Sequence, residues 1–162
     1  MAEWAAVAST LIAGIALFFA GGQLLVMNRT AAMERRVARD GVAVSWRPLD
    51  APYAAEADGT AAWLYLIEVH NPGRLPIVDV RVEWHFQCPV QRRRSGHVEA
   101  PTNLIVLTAP VLAGGATRPW ERRLVMNFAE AEAALPATYA EVHFVDAEGE
   151  SRTNRWPRRP AA

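Results

Sequence analysis

The stretch IVDVRVEWHFQC, residues 77–88, sets Asp79, Arg81, Glu83 and His85 at every second position. On a β-strand that spacing lines all of them along one face. A carboxylate beside an imidazole is the minimum equipment for general acid–base chemistry. Histidines also stand at 70, 97 and 143. If strand pairing brought His70, His85 or His143 beside Glu68, Glu83 or Glu141, the residue types would suit zinc. Spacing alone enforces neither reading. Same-face neighbours on one strand stand about 7 Å apart, and no third group orients the Glu83–His85 pair. The row is therefore read as the wet side of a sheet, making ordinary cross-strand polar pairs. No catalytic, cofactor-binding or metal-ligating residue is assigned.

The remaining chemistry-bearing residues point the same way. The chain has no H-E-x-x-H zinc helix, no phosphate loop, no G-x-S-x-G elbow and no CxxC pair. Cys88 is the one cysteine; it follows Trp84 and Phe86 on the apolar side of the strand and reads as a core residue rather than a nucleophile. QRRRSGH, residues 91–97, is a basic loop in which Arg92, Arg93 and Arg94 offer charge to headgroups or to an acidic partner. It lacks the interleaved aromatics that single-stranded nucleic acid needs. The formal net charge of zero also gives no global pull toward nucleic acid. Every basic residue is arginine.

Around these residues the apolar pattern alternates. Val42, Val44 and Trp46 form one face of a first strand. Trp63, Tyr65, Ile67 and Val69 form one face of a second, with Leu64, Leu66, Glu68 and His70 opposite. After the breaker NPGRLP, the positions Val78, Val80, Val82, Trp84, Phe86 and Cys88 all read as inward. Shorter strands are expected at 103–108 and 118–126. FAEAEAAL, residues 128–135, is a short helix that Pro136 stops, and a hairpin turning on DAEG at 146–149 ends the domain. Many short strands without βαβ spacing imply an antiparallel β-sandwich of immunoglobulin-like type. Leu64 and Leu66 lie on the polar face of their strand, either covered by a loop or by the short helix, or offered to a partner.

The N-terminus has another character. Residues 4–27, WAAVASTLIAGIALFFAGGQLLVM, carry no charge. As a helix they would extend about 36 Å, enough for the hydrocarbon core of a bilayer. The leading Met-Ala-Glu lacks the basic region of a signal peptide. Arg29, Arg35, Arg36 and Arg39 follow the span and no basic residue precedes it, so the C-terminal domain is expected in the cytoplasm and the N-terminus outside. Residues 29–40 read as a helical stalk with Gly41 as its stop. The domain division is therefore 1–40 for membrane helix and stalk and 41–162 for the β domain. Ala6, Thr10 and Gly14 share a small-residue face that would suit a homo-oligomer.

The combination of span, basic stalk, VHNPGRLPIVDVRVEW and VHFVDAEG resembles a loose group of uncharacterised bacterial single-span proteins with a cytoplasmic sandwich domain. Val69, Asn71 and Gly73 match the group's turn, and Phe144, Asp146 and Gly149 match its final hairpin. Arg152 stands where tryptophan is expected, with Trp156 four residues later. The resemblance implies no catalytic residue. The function expected from the sequence is a membrane-anchored, non-catalytic β-sandwich module for protein–protein interaction or an accessory role at the cytoplasmic face of the membrane. Leu64, Leu66, Arg92, Arg93 and Arg94 are its candidate contacts. The runner-up is a sensor or regulatory subunit of an enzyme whose catalytic chain is separate. A reporter fused to the C-terminus should be active only on the cytoplasmic side of the membrane; activity at the outer surface of intact cells would reverse the orientation.

Overall fold

The structure, a computed structural model, describes residues 27, 29–30, 32–37, 40–94 and 97–157. The chain divides into compact units at Arg36/Val37. In the first, described residues 29, 30 and 32–36 are helical. The apolar span 4–27 and its small-residue face lie outside the described residues apart from Met27. Among the described residues no helix is long and apolar enough to cross a membrane.

The second unit is mainly β. Its strands are β1 (Ala43–Asp50), β2 (Thr60–His70), β3 (Ile77–Arg94), β4 (His97–Val98), β5 (Thr102–Leu112), β6 (Thr117–Asn127), β7 (Tyr139–Val145) and β8 (Ser151–Trp156). All pairings are antiparallel. One sheet runs β1-β2-β6 and the other β5-β3-β7-β8, and the end of β3 crosses over to pair with β6. The alternation that marks these strands in the sequence is the alternation of burial. Val42, Val44, Trp63, Tyr65, Ile67, Val69, Val82, Trp84, Phe86, Val142 and Phe144 join one core.

Trp84 lies near the middle of that core, with ring centroids 5.3 Å from Tyr65, 4.5 Å from Phe86 and 5.9 Å from Trp46. Its indole N–H is buried without a hydrogen-bond partner, so the ring's contribution is apolar contact set against one unsatisfied donor. The short helix forms where expected, Phe128–Ala134, capped by the Asn127 side chain, which accepts from the Glu130 N–H. Phe128 stacks on Trp63 at 6.1 Å, and Ala131 is buried. The helix therefore covers the core face of β2, the face opposite Leu64 and Leu66, and cannot be the lid over those leucines.

β3 departs from its simple pattern twice. It runs on through Pro89 to Arg94, so the arginines of QRRRSGH begin on a strand rather than in a loop. At its start Asp79 has φ of +52°, and the pairing with β7 slips by one residue between Val78 and Arg81. This is a bulge. It places both Ile77 and Val80 inside and turns Val78 outward, correcting the inward assignment of Val78.

Two turns are fastened together by Asn71, which is fully buried. Its side-chain amide donates to the carbonyls of Leu75, Leu112 and Ala113 at 3.0, 3.2 and 3.2 Å, and its Oδ1 accepts from the Gly73 N–H at 3.0 Å. Its own N–H donates to Ala116 O, and its carbonyl accepts from Gly115. The turn after β2 is thus bound to the turn after β5. A Cβ on Gly114 would stand 2.1 Å from the Arg74 carbonyl oxygen, so the two backbones touch and only glycine fits. Gly41 is similar: it donates to Val37 O at 2.9 Å, and a Cβ there would meet that oxygen and the Pro72 ring. It ends the helix by close approach rather than by a left-handed conformation.

The last hairpin holds by its acid. Asp146 accepts from the N–H groups of Glu148 and Glu150 and from Arg152 Nε, and Gly149 takes φ of +85°. Burial pushes the Asp146 carboxyl up, but the Glu150 N–H, the Arg152 side chain and the Glu148 N–H outweigh it and hold it below its ordinary value. Arg152, the departure from the resembled motif, pairs with the turn, and the strand register is uninterrupted from Val145–Ser151 to Ala140–Trp156.

Three substitutions test this frame by denaturant unfolding of residues 37–162. Trp84→Ala opens a core cavity and should cost about 3–5 kcal/mol. Trp84→Phe removes the unpaired donor with less volume and should cost much less. Asn71→Ala strands several buried backbone groups and should cost about 3 kcal/mol or more. A mild Asn71→Ala would mean that the turns hold without it.

Candidate functional site

The outer face of the second sheet carries the polar row, and strand register decides its neighbours. β3 pairs with β7 so that Glu83 faces Glu141, Arg81 faces His143 and His85 faces Tyr139. On the other side Glu83 faces Val106 and His85 faces Leu104 of β5. The row is not simply wet. Glu83, His85, Glu141 and His143 are all half-buried, and the histidines and carboxylates meet. Glu83 Oε2 is 3.6 Å from His85 Nε2 and 3.8 Å from His143 Nε2. The 7 Å backbone spacing that argued against contact is closed by side chains leaning along the strand.

Arg81 binds Glu83 Oε1 at 2.8 Å, and Arg155 NH1 stands 3.7 Å from Glu141 Oε1. Arg155 also lies over the Tyr139 ring at 3.6 Å, while His85 stacks on that ring's plane at 4.5 Å and 8°. His143 Nδ1 meets Thr153 Oγ1 at 2.9 Å. His70 and His97 do not join: His70 Nδ1 lies 3.0 Å from Thr117 Oγ1 of the first sheet, and His97 sits on β4.

The same outer face changes character at its other end. The outward turn of Val78 sets it between Val111 of β5 and Val145 of β7. Val78 is 37% exposed, Val111 57% and nearby Leu75 60%. Directly opposed residues of an antiparallel pair point to one side, so Val78, Val111 and Val145 form an apolar strip. Sequence reasoning missed it because alternation counted from Val80 places Val78 inside. The signal that was available is Asp79 itself, since aspartate tolerates the left-handed conformation of a bulge better than its valine neighbours do.

The contacts expected from the sequence fall on β2 and on the end of β3. Leu64 and Leu66 lie half-buried on the outer face of the first sheet, opposite Arg123 and Glu121 of β6 and Asp50 and Arg47 of β1. Long charged side chains in those positions have aliphatic stems to lay against leucine. Arg92 binds Glu99, with Nε 2.7 Å from Oε2, so its charge is already matched. Arg93 is exposed, and the backbone of Arg94 pairs with His97. β6 stands between them, with Arg123 opposite Leu64 and Leu124 opposite Arg92.

Cys88 is buried between the sheets. Burial pushes its thiol up, and the Glu130 carboxylate adds to the shift, against a smaller lowering by a backbone hydrogen bond. The thiolate that a nucleophile requires is disfavoured.

No protein-family model and no curated protein matches the chain. Among solved structures it is similar to the ApaA protein of Bordetella pertussis, at 15% identity and a TM-score of 0.43, over 70% of this chain and 86% of that one. It is similar to a FixG-related protein of Vibrio parahaemolyticus at 12% and 0.36, over 72% and 93%. A third is the sporulation control protein Spo0M of Bacillus subtilis, at 8% and 0.35, over 70% and 46%. Similarities this low say nothing of function. The fold itself defines a class: a mainly β protein of antiparallel sheets.

One consequence of the Cys88 environment is measurable. A thiol reagent should label the native protein slowly at neutral pH and the urea-unfolded chain rapidly. Rapid native labelling would place the thiol at the surface and reopen its reactivity.

Proposed function

We propose that this chain is a membrane-anchored, non-catalytic interaction module whose β domain binds a protein partner at the cytoplasmic face. The observation that carries the reading is the apolar strip of Val78, Val111 and Val145. Scattered single hydrophobics on a surface mean little, but adjacent ones aligned by strand pairing are a docking feature. Its place in the domain adds to this. β1 begins opposite the end of β2, Gly41 packs on Pro72, and the strip lies just past the same turn. The partner-facing residues therefore sit at the end of the β domain where the chain comes in from the N-terminal segment.

The same reading takes the domain as an immunoglobulin-like sandwich. Support comes from the strand order, with first, second and sixth strands in one sheet and fifth, third, seventh and eighth in the other. With β1, β2 and β6 in the places of strands A, B and E, and β5, β3, β7 and β8 in those of C′, C, F and G, that order is of the immunoglobulin type.

The test is capture of the full chain from detergent-solubilised cells, beside a Val78→Arg/Val111→Arg variant. Both positions are exposed, so the variant should fold and melt like the parent. The expected result is a stoichiometric partner, or a second copy of the chain, held by the parent and lost by the variant. Equal capture by both proteins, or none by either, would remove the strip from the function.

A further inference from the structure

The four half-buried side chains on the outer face of β3 and β7 form an arrangement that their protein contacts leave incomplete. One ligand atom from each of Glu83, His85 and Glu141 lies within 4.8 Å of the others. His143 Nε2 stands beside this group rather than within it, 3.8 Å from Glu83 Oε2 and 4.0 Å from Glu141 Oε2. His85 Nε2 and His143 Nε2 are both shielded from solvent, yet neither has a hydrogen-bond partner. The separations of 3.6–4.0 Å between these nitrogens and the carboxylate oxygens are too long for hydrogen bonds.

Those separations suit an atom in the middle. Nitrogen and oxygen ligands about 2.0–2.1 Å from a tetrahedral zinc stand about 3.4 Å from one another. Closing the Glu83, His85 and Glu141 atoms from within 4.8 Å to that value needs side-chain rotation and no change of register, and His143 joins by turning in from beside them. The surrounding contacts prepare the ligands for it. Thr153 engages Nδ1 of His143, which leaves Nε2 as the nitrogen facing the carboxylates. Such an outer partner is the usual companion of a metal-bound imidazole. His85 is held flat against Tyr139. Arg81 and Arg155 take Oε1 of Glu83 and of Glu141, so each carboxylate turns Oε2 to the gap. Their positive charges oppose a cation, and the two carboxylates offset them.

We propose that Glu83, His85, Glu141 and His143 bind a divalent transition metal of the zinc class. Mixed imidazole and carboxylate donors favour zinc over calcium or magnesium, which take oxygen ligands. Bound there, the ion cross-links β3 to β7 across their outer face. The site stands apart from the apolar strip and does not depend on its role.

The experiment uses the untagged full chain in detergent, stripped with a chelator and dialysed against metal-free buffer. Zinc is titrated against a chromophoric chelator, and cobalt is added separately to read its visible d–d bands. The expected result is one equivalent of zinc per chain and a cobalt spectrum of tetrahedral intensity. His85→Ala and the near-isosteric Glu141→Gln should each weaken zinc at least about tenfold. His70→Ala, which changes a histidine outside the cluster, should leave it unaltered. No zinc retained against the chelator would overturn the proposal and leave an ion-pair network only. Binding equal in all variants would overturn it as adventitious. The cobalt spectrum of the parent protein decides the matter even if a variant fails to fold, because the weak bands of octahedral, water-rich cobalt would also sink it.

Discussion

The β domain depends on a fully buried asparagine. A buried amide is costly unless its donors and acceptor are matched, and Asn71 has every polar atom in use across two turns. The cost becomes specificity. The turn leading into β3 and the turn leading out of β5 can dock in this one arrangement, and Gly114 lets their backbones touch. Since β3 and β5 pair along most of their length, fixing their shared end fixes their register. The polar row of β3 and the side chains beside it inherit their positions from that register.

β3 carries the rest of the organisation. Its first half belongs to one sheet and its last residues to the other, so a single strand makes both faces of the core continuous. The Asp79 bulge near its start divides the outer face into two regions. Before the bulge the face is valine; after it come Arg81, Glu83 and His85. One residue in a left-handed conformation thus separates an apolar surface from a polar cluster only a few residues away.

Much of this was legible in the residues. Alternation placed Trp63, Tyr65, Ile67, Trp84, Phe86, Val142 and Phe144 inside, and burial agrees. The short helix before Pro136 and the turn at Asp146 and Gly149 also stand where local chemistry put them. The failures share a cause. Val78 faced the wrong way because a period of two cannot see an inserted residue. Glu83, His85, Glu141 and His143 were named as possible neighbours but read as ordinary polar pairs, because only strand pairing makes residues 83 and 141 neighbours. Leu64 and Leu66 drew notice as leucines on a polar face, while their arginine, aspartate and glutamate neighbours were invisible until the sheet assembled.

One carbonyl near the start of the domain has a mechanical meaning. Val42 O accepts both the Asn154 side-chain amide at 3.1 Å and the Trp156 indole N–H at 3.0 Å. The first strand is thereby clasped by the last, although the two stand at opposite ends of the strand order. Tension drawn along the chain through Gly41 would not peel β1 away from β2 alone. It would be shared at once with β8 and, through β7, with the core strand β3. The domain takes up load at both of its edges together, and an edge under shared load resists fraying better than one held by its ladder alone.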